Sequence, residues 1–380
     1  MTPFARTDRS FLAVWWWTVD RTLLGAIGVL AAVGLILIFA ASPAVAERNG
    51  LPPLYFVVKH LTMLGPAALI LVLTSMLSHR GVLTVGRCLL VLGLVGLIAT
   101  AFVGPEIKGA RRWLVVAGFG IQAGEFLKPA LAICTAAWLA GAPGLRGAPW
   151  PLAVVGGTAV LLAMQPDVGM ALTVTAILGI QLFLAGLPWF LLLGVAAVAG
   201  IGAWQAYAFW PHVAQRIDAF LNPDTIPYQV RWALAAITGG GLLGRGPGEG
   251  AAKYYLPDAH SDFIFAVAVE EFGLIAALAL VGLIGFVLIR TILRAREATE
   301  RFVVLAIAGL IGTYGLQAFI NIGVNLRILP TKGMTLPLVS YGGSSLCATA
   351  LTLGFVLALL RRPQEIEVTL RSSEHREALA

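Results

Sequence analysis

The sequence is poor in charge. Asp, Glu, Lys and Arg make up 12% of its 380 residues, about half the roughly 25% of a soluble domain. It is also poor in cysteine and histidine, with 3 and 5. Cys88, Cys134 and Cys347 each sit inside an apolar run without CxxC spacing. That excludes a disulfide scaffold and leaves three inert small hydrophobes. The histidines show no ligand spacing, so no zinc site is expected. The glycines between Gly239 and Gly250 form neither a G-x-G-x-x-G nor a Walker loop, which argues against nucleotide binding. No inverted repeat is evident. Ala44-Val45-Ala46 resembles a signal-peptidase site. The apolar run before it, 22–41, is longer than a signal core of about 7–15 residues, so it is expected to be retained.

Apolar residues dominate instead. Hydrophobic residues make up 59% of the chain. A span needs about 20 apolar residues. Ten spans are predicted: 22–41, 54–77, 88–103, 126–140, 152–164, 169–185, 189–209, 263–289, 302–321 and 341–360. The expected fold is an all-α polytopic membrane protein, one integral membrane domain over 1–380, with short broken spans in the middle. Residues 1–21 and 361–380 are expected as short cytoplasmic tails flanking a membrane core, 22–360. One large extracytoplasmic loop, 210–262, precedes the eighth helix and is expected to be flexible, hugging a substrate or the bilayer surface. Lys and Arg are denser on the side of the short loops, which places both termini in the cytoplasm. The net charge of +7 lies between apolar runs, so membrane lipids or phosphate-bearing substrates are expected partners and nucleic acid is not.

Ionisable residues near membrane depth are functional candidates, and four clusters stand out. The first is Gly109-Ala110-Arg111-Arg112-Trp113 with Gln122, Glu125 and Lys128. It reads as a cationic pocket for phosphate, or as an interfacial anchor. The second is Gln165-Pro166-Asp167, between two short apolar runs. Asp167 marks a site near membrane depth or caps the next helix; both readings stand. The third runs from Leu256 to Ala266 and contains Asp258, His260 and Asp262. Asp262 is either an N-cap or a general base facing a lipid-linked substrate. Glu270 and Glu271 follow inside the span, Glu270 about 80° round the helix and roughly 12 Å deeper. Both need partners, and Lys59 is the expected cation for one of them. The fourth joins Leu329–Pro337, which carries Lys332, to Ser340-Tyr341-Gly342-Gly343-Ser344-Ser345. Close packing of small residues explains Ser344 and its neighbours but not Lys332.

Taken in this order, the four clusters resemble the SEDS family of RodA/FtsW-type membrane proteins (shape, elongation, division and sporulation). The resemblance spans about 15–362. The most specific runs are 256–266 with Glu270-Glu271-Phe272-Gly273, and 332–345. Trp15-Trp16-Trp17-Thr18-Val19-Asp20-Arg21, Gly244-Arg245-Gly246-Pro247-Gly248-Glu249-Gly250 and Thr331-Lys332-Gly333-Met334-Thr335-Leu336-Pro337 side with the FtsW branch. One departure is Gln122-Ala123-Gly124-Glu125, where the family tends to have Gln-Pro-Ser-Glu.

The resemblance implies a peptidoglycan glycosyltransferase that polymerises lipid II at the outer face of the bacterial cytoplasmic membrane, for septal division or cell shape. It implies a class B penicillin-binding protein as transpeptidase partner, alongside other division or elongation proteins, and it places the family's essential Asp at Asp262. The chemistry suits these residues. A GlcNAc 4-hydroxyl needs a base, and a departing polyprenyl diphosphate needs positive charge. One carboxylate with several cations suits inverting transfer without a hydrolase's carboxylate pair. Asp262 is the expected base. Arg112, Lys128 and Lys332 are expected at the diphosphate, with Arg111, Arg245 and Gln122 behind them. Glu125, Asp167, Asp258, His260, Glu270, Glu271, Lys59 and Ser344 are supporting polar residues. No cofactor is built in; Mg2+ or Mn2+ could share the diphosphate with Asp167 or Glu125. The rival readings are a lipid II flippase and a scaffold that only recruits the transpeptidase.

Overall fold

A computed structural model describes residues 10–106, 110–116, 118–222 and 224–361. The expected C-terminal tail beyond Arg361, residues 1–9 of the N-terminal one, and Gly109 of the first cluster lie outside the described residues. Among the described residues, thirteen α-helices, two short 3-10 helices and one short hairpin make up the regular structure. Ten helices fall on the ten predicted spans: α2 (Arg21–Arg48), α3 (Tyr55–Ser75), α4 (His79–Val103), α5 (Ala123–Gly141), α6 (Pro149–Met164), α7 (Val168–Leu184), α8 (Trp189–Phe209), α11 (Ile264–Ala295), α12 (Arg301–Asn325) and α13 (Gly343–Leu360). Seven of them are long and apolar enough to cross a membrane. Helices α6 and α7 are the short pair on either side of Gln165-Pro166-Asp167.

Three helices lie outside the predicted spans. Helix α1 (Phe11–Thr18) forms inside the expected N-terminal tail, capped by the Ser10 side chain. Helices α9 (Pro211–Leu221) and α10 (Tyr228–Gly240) occupy the large loop, which is therefore folded rather than a flexible strap. In α9, Pro211 opens the helix, where its missing N–H costs nothing. Val213, Ile217 and Phe220 then recur at helical spacing. Strands β1 (Leu114–Val116) and β2 (Phe119–Ile121) form an antiparallel hairpin with Val115 opposite Gly120. The hairpin leads straight into α5, so the departure at Gln122-Ala123-Gly124-Glu125 leaves that helix starting at Ala123.

Helix α5 is the packing hub, lying against α4, α7, α12 and α13. Helix α13 packs on α3, and α11 on α2, α10 and α12. Because successive spans alternate in direction, the starts of α3, α5, α7, α11 and α13 share one end of the bundle with the ends of α2, α4, α6, α8 and α12. All four polar clusters lie at that end.

The predicted eighth span is broken. Gly273 adopts φ 84°, ψ 172° inside α11, a conformation open to glycine and costly for other residues. Non-helical backbone at membrane depth is tolerated only where protein satisfies it. Here the segment after α10 does so. Arg245 N–H donates to the Glu270 carbonyl at 2.9 Å and Gly246 N–H to the Glu271 carbonyl at 3.0 Å. In return, Leu274 N–H donates to the Gly241 carbonyl at 2.9 Å and Ile275 N–H to that of Leu242 at 3.3 Å. The glycine-rich run is thus a plug for the break in α11.

The plug also corrects the expected pairing of Lys59. Glu271 pairs with Lys253, which arrives with the plug. Glu271 also accepts from Gly248 N–H at 2.9 Å. Glu270 accepts from Ala252 N–H at 2.7 Å and Lys253 N–H at 3.1 Å. Lys59 stays exposed on α3 with its Nζ 4.7 Å from the centre of the Tyr55 ring. The chain folds back and delivers its own cation to membrane depth, which linear spacing does not reveal.

Candidate active site

The first and second clusters meet. Arg112, just before β1, donates through Nε to the Gln165 carbonyl at 3.2 Å and through Nη2 to the Pro166 carbonyl. Its Nε lies 3.9 Å from Asp167 Oδ2. Asp167 also caps α7, accepting from Met170 N–H at 3.2 Å. Asp167 thus caps α7 through one carboxylate oxygen and faces Arg112 through the other. Gln165 anchors the break to α4 through the Leu97 carbonyl and Thr100.

On α5, Glu125 and Lys128 stand one turn apart and buried, with Nζ to Oε2 at 2.9 Å. Lys128 Nζ also donates to Gln317 Oε1 on α12 at 2.6 Å. Gln317 passes the network on, donating to Thr335 and Ser345. Lys128 thus spends its ammonium on protein partners, supporting the site more than facing it.

Lys332 is different. Its stem lies against Gly169 at the start of α7, where a Cβ would collide with it. Its ammonium is buried with no hydrogen-bond partner among the described residues. Burial pulls the Lys332 ammonium down to about 8, Asp167 and Glu125 pull it back up, and Lys128 and Arg112 push it further down. Desolvating an unpaired ammonium is costly, so a site that keeps one is organised for an anion.

Asp262 faces the same space. It is the residue before the N-cap of α11, which is Phe263 with no side-chain cap, so the N-cap reading of Asp262 is corrected. Its carboxylate lies beside Gly333, with Oδ2 2.8 Å from where a Cβ there would stand. Two asparagines on α12 fix the turn. Asn321 and Asn325 both donate to the Asp262 carbonyl, at 2.9 and 3.0 Å. Asn321 also donates to the Met334 carbonyl at 2.6 Å. The Asp262 turn and the Lys332 segment are thus tied through one side chain. Ser340 Oγ adds a bond to the Ser261 carbonyl at 2.6 Å.

Sequence reasoning missed Arg216. It lies on α9, exposed, in the electrostatic surroundings of Arg112, Asp167 and Asp262. Partial desolvation of its guanidinium and, after it, Arg112 lower its pKa, while the two carboxylates raise it. His212, one turn earlier, is lowered by burial and by Arg216 and Arg112. Arg216 lies on the apolar face marked by Val213, Ile217 and Phe220; that pattern was the available signal. Asn321 and Asn325, spaced i,i+4, were missed as well. Around Lys332 and Asp262, the cations Arg112, Lys128, Arg216 and Lys332 outnumber the carboxylates Glu125, Asp167 and Asp262 by one.

The remaining candidates sit elsewhere. Arg111 is exposed, 3.9 Å from Glu106. Arg245 donates to the Gly239 carbonyl at 3.1 Å and belongs to the plug. Ser344 bridges α13 to the hairpin, donating to the Gly120 carbonyl and accepting from Gln122 N–H, both at 3.1 Å. Asp258 and His260 line a separate cavity. Among the described residues no three His, Cys, Asp or Glu side chains gather as metal ligands.

The architecture and this end of the bundle define an all-α polytopic membrane protein whose polar clusters gather around an unsatisfied, desolvated cation, Lys332, with Asp262 against the neighbouring Gly333. The chain belongs to the FtsW, RodA and SpoVE family of cell cycle proteins, whose model matches residues 21–365. It is 44% identical to a probable peptidoglycan glycosyltransferase FtsW of Caulobacter vibrioides, over 94% of this chain and 93% of that one. A second, of Saccharophagus degradans, is 35% identical over 91% and 95%. Among solved structures, one described as structural coordination of polymerization and crosslinking by a peptidoglycan synthase complex matches with TM-score 0.75 and 30% identity, over 90% of this chain and 97% of that one. The rod shape determining protein RodA of Thermus thermophilus matches with TM-score 0.68 and 30% identity, over 91% and 97%.

Proposed function

We propose that this chain is an inverting peptidoglycan glycosyltransferase that polymerises lipid II at the outer face of the cytoplasmic membrane, with both termini cytoplasmic. The observation that carries the reading is the buried, unpartnered Lys332 ammonium on a segment whose next residue, Gly333, lies against the Asp262 carboxylate. Asp262 removes the proton from the acceptor GlcNAc 4-hydroxyl as that oxygen attacks the donor's anomeric carbon. The bond from that carbon to the diphosphate breaks with inversion, and the electron pair leaves with the phosphate oxygen. Lys332, Arg112 and Arg216 stabilise the charge that develops there. A preorganised cation in a dry site is worth far more than one in water. Asn321 and Asn325 hold the base and Lys332 in register.

A cross-linking partner of the class B penicillin-binding type fits this role, and the similarity to a synthase complex supports it. A divalent cation, held by Asp167 or Glu125, would add positive charge at the diphosphate. Asp262→Asn tests the reading. It should cut polymerisation of purified lipid II by about 10²–10⁴, the usual contribution of a positioned base, with an unchanged melting temperature. Normal turnover would remove Asp262 from the mechanism. Transport of labelled lipid II without glycan product would replace the polymerase with a flippase.

A further inference from the structure

The turn that carries Asp262 has a second face. A cavity of about 690 Å³ opens between the end of α2, the start of α3 and residues 257–260, with Tyr341 on its wall. Its size falls in the range of small-molecule sites. Asp258 and His260 line it, while Asp262, two residues on, faces Gly333. One short turn therefore separates this cavity from the Lys332 site.

The lining carries two cations, Arg48 and Lys59, against one carboxylate, Asp258, beside an aromatic wall. Arg48 donates to the Leu256 carbonyl at 3.0 Å, using one of its five N–H donors. Lys59 has no carboxylate within ion-pair distance among the described residues. Phe56, His260 and Tyr341 form a contiguous aromatic wall, with ring centres 4.2 Å apart for Phe56 and His260 and 5.0 Å for His260 and Tyr341. Helix α3 begins at Tyr55 without a side-chain cap, so the positive end of its dipole adds to the two cations. Cations suit a phosphate. Aromatic faces suit the C–H face of a pyranose ring.

We infer that this cavity holds the second lipid-linked glycosyl diphosphate, the acceptor, so that the Asp262 turn stands between two sugar diphosphates. The inference rests on the glycosyltransferase reading above. A polymerase joining two lipid-linked sugars must hold two diphosphates at the same membrane level, and they need different treatment. The donor's diphosphate leaves, so it belongs against a desolvated cation such as Lys332. The acceptor's diphosphate keeps its bonds and must be passed on in each cycle. Exposed, screened cations hold such a group without trapping it, and Arg48 and Lys59 are both exposed.

The test uses the full-length protein, alone and with its cross-linking partner, and lipid II as substrate. A lipid II analogue that lacks the GlcNAc 4-hydroxyl and carries a non-cleavable bond from the anomeric carbon to the diphosphate serves as the probe, because it can react neither as acceptor nor as donor. The double substitution Arg48→Gln, Lys59→Met should raise the inhibition constant of this analogue and the KM for lipid II about tenfold each, as expected for losing two screened charge contacts. Arg48→Lys with Lys59→Arg should restore both values, which a merely structural role would not predict. Asp262→Asn should act on kcat. If the double variant matches the wild type in both constants, or loses only kcat, the acceptor site is overturned. A wild type that makes no glycan would instead overturn the glycosyltransferase reading, so the two failures are distinguishable.

Discussion

Two ionic clusters, each built around a buried lysine ammonium, lie near the start of α11, and they are built in opposite ways. In the plug, Lys253 is 1% exposed and has three acceptors, Glu271, the Gly248 carbonyl at 3.1 Å and the Ala40 carbonyl at 3.1 Å. That uses all three donors of an ammonium. The two carboxylates are matched by three backbone N–H groups and Lys253. Around Asp262 the arrangement is reversed. Cations are in excess and the Lys332 ammonium is left without a partner. A buried ammonium, which both clusters share, does not by itself mark function. The degree of satisfaction does, since an unpaired buried ion is retained only against a cost.

The largest expected effect attacks this difference directly. Lys253→Met leaves Glu271 buried and unpaired, and breaking a buried pair in this way costs about 3–5 kcal/mol. A thermal melt in detergent should show a large drop. Lys332→Met removes an ammonium that has no protein partner, so the same melt should show no loss. Equal destabilisation by both would erase the contrast.

Activity should answer in the opposite sense. Lys332→Met should reduce the polymerisation rate by about 10²–10³, the loss typical of one preorganised electrostatic group. Lys253→Met, measured where it is still folded, should lose less. Gly273→Ala gives a smaller, purely structural probe of the plug. A Cβ there collides with the 242–244 backbone and must adopt φ 84°, a strain of about 1–3 kcal/mol. It should lower the melting temperature without changing which substrate is used.

The contrast also explains what the sequence made legible. The bilayer imposes a length on every apolar run, so a helix stands on each of the ten predicted spans, seven of them long and apolar enough to cross a membrane, while the ends moved and the eighth is broken at Gly273. Arg112, Lys128, Asp262 and Lys332 stood out because charge is scarce. Pairing was not legible. Glu270 and Glu271 invited a partner from another span, and Lys59 was the nearest by depth. The partner instead came from a glycine-rich segment whose re-entry depends on the break at Gly273, inside an unbroken apolar run. Arg216 was hidden because the loop was read through its glycines, although Val213, Ile217 and Phe220 carried a helical period.

The smallest expected effect is a pH dependence confined to the unsatisfied cluster. The folded pKa of Lys332, about 8, lies below the ordinary lysine value of 10.5. Between those values the unfolded chain binds more protons than the folded one, so this group adds stability as pH rises through 8 and withdraws it as pH falls. Function runs the other way, because the diphosphate needs the protonated ammonium. The value of kcat/KM, which reports the free enzyme, should therefore decline above about pH 8 while the melting temperature does not. In Lys332→Arg, whose guanidinium stays charged, the decline should move to higher pH with whatever activity remains. An identical alkaline limb in wild type and Lys332→Arg would assign the titration to another group and weaken the case that the unpaired lysine is the anion site.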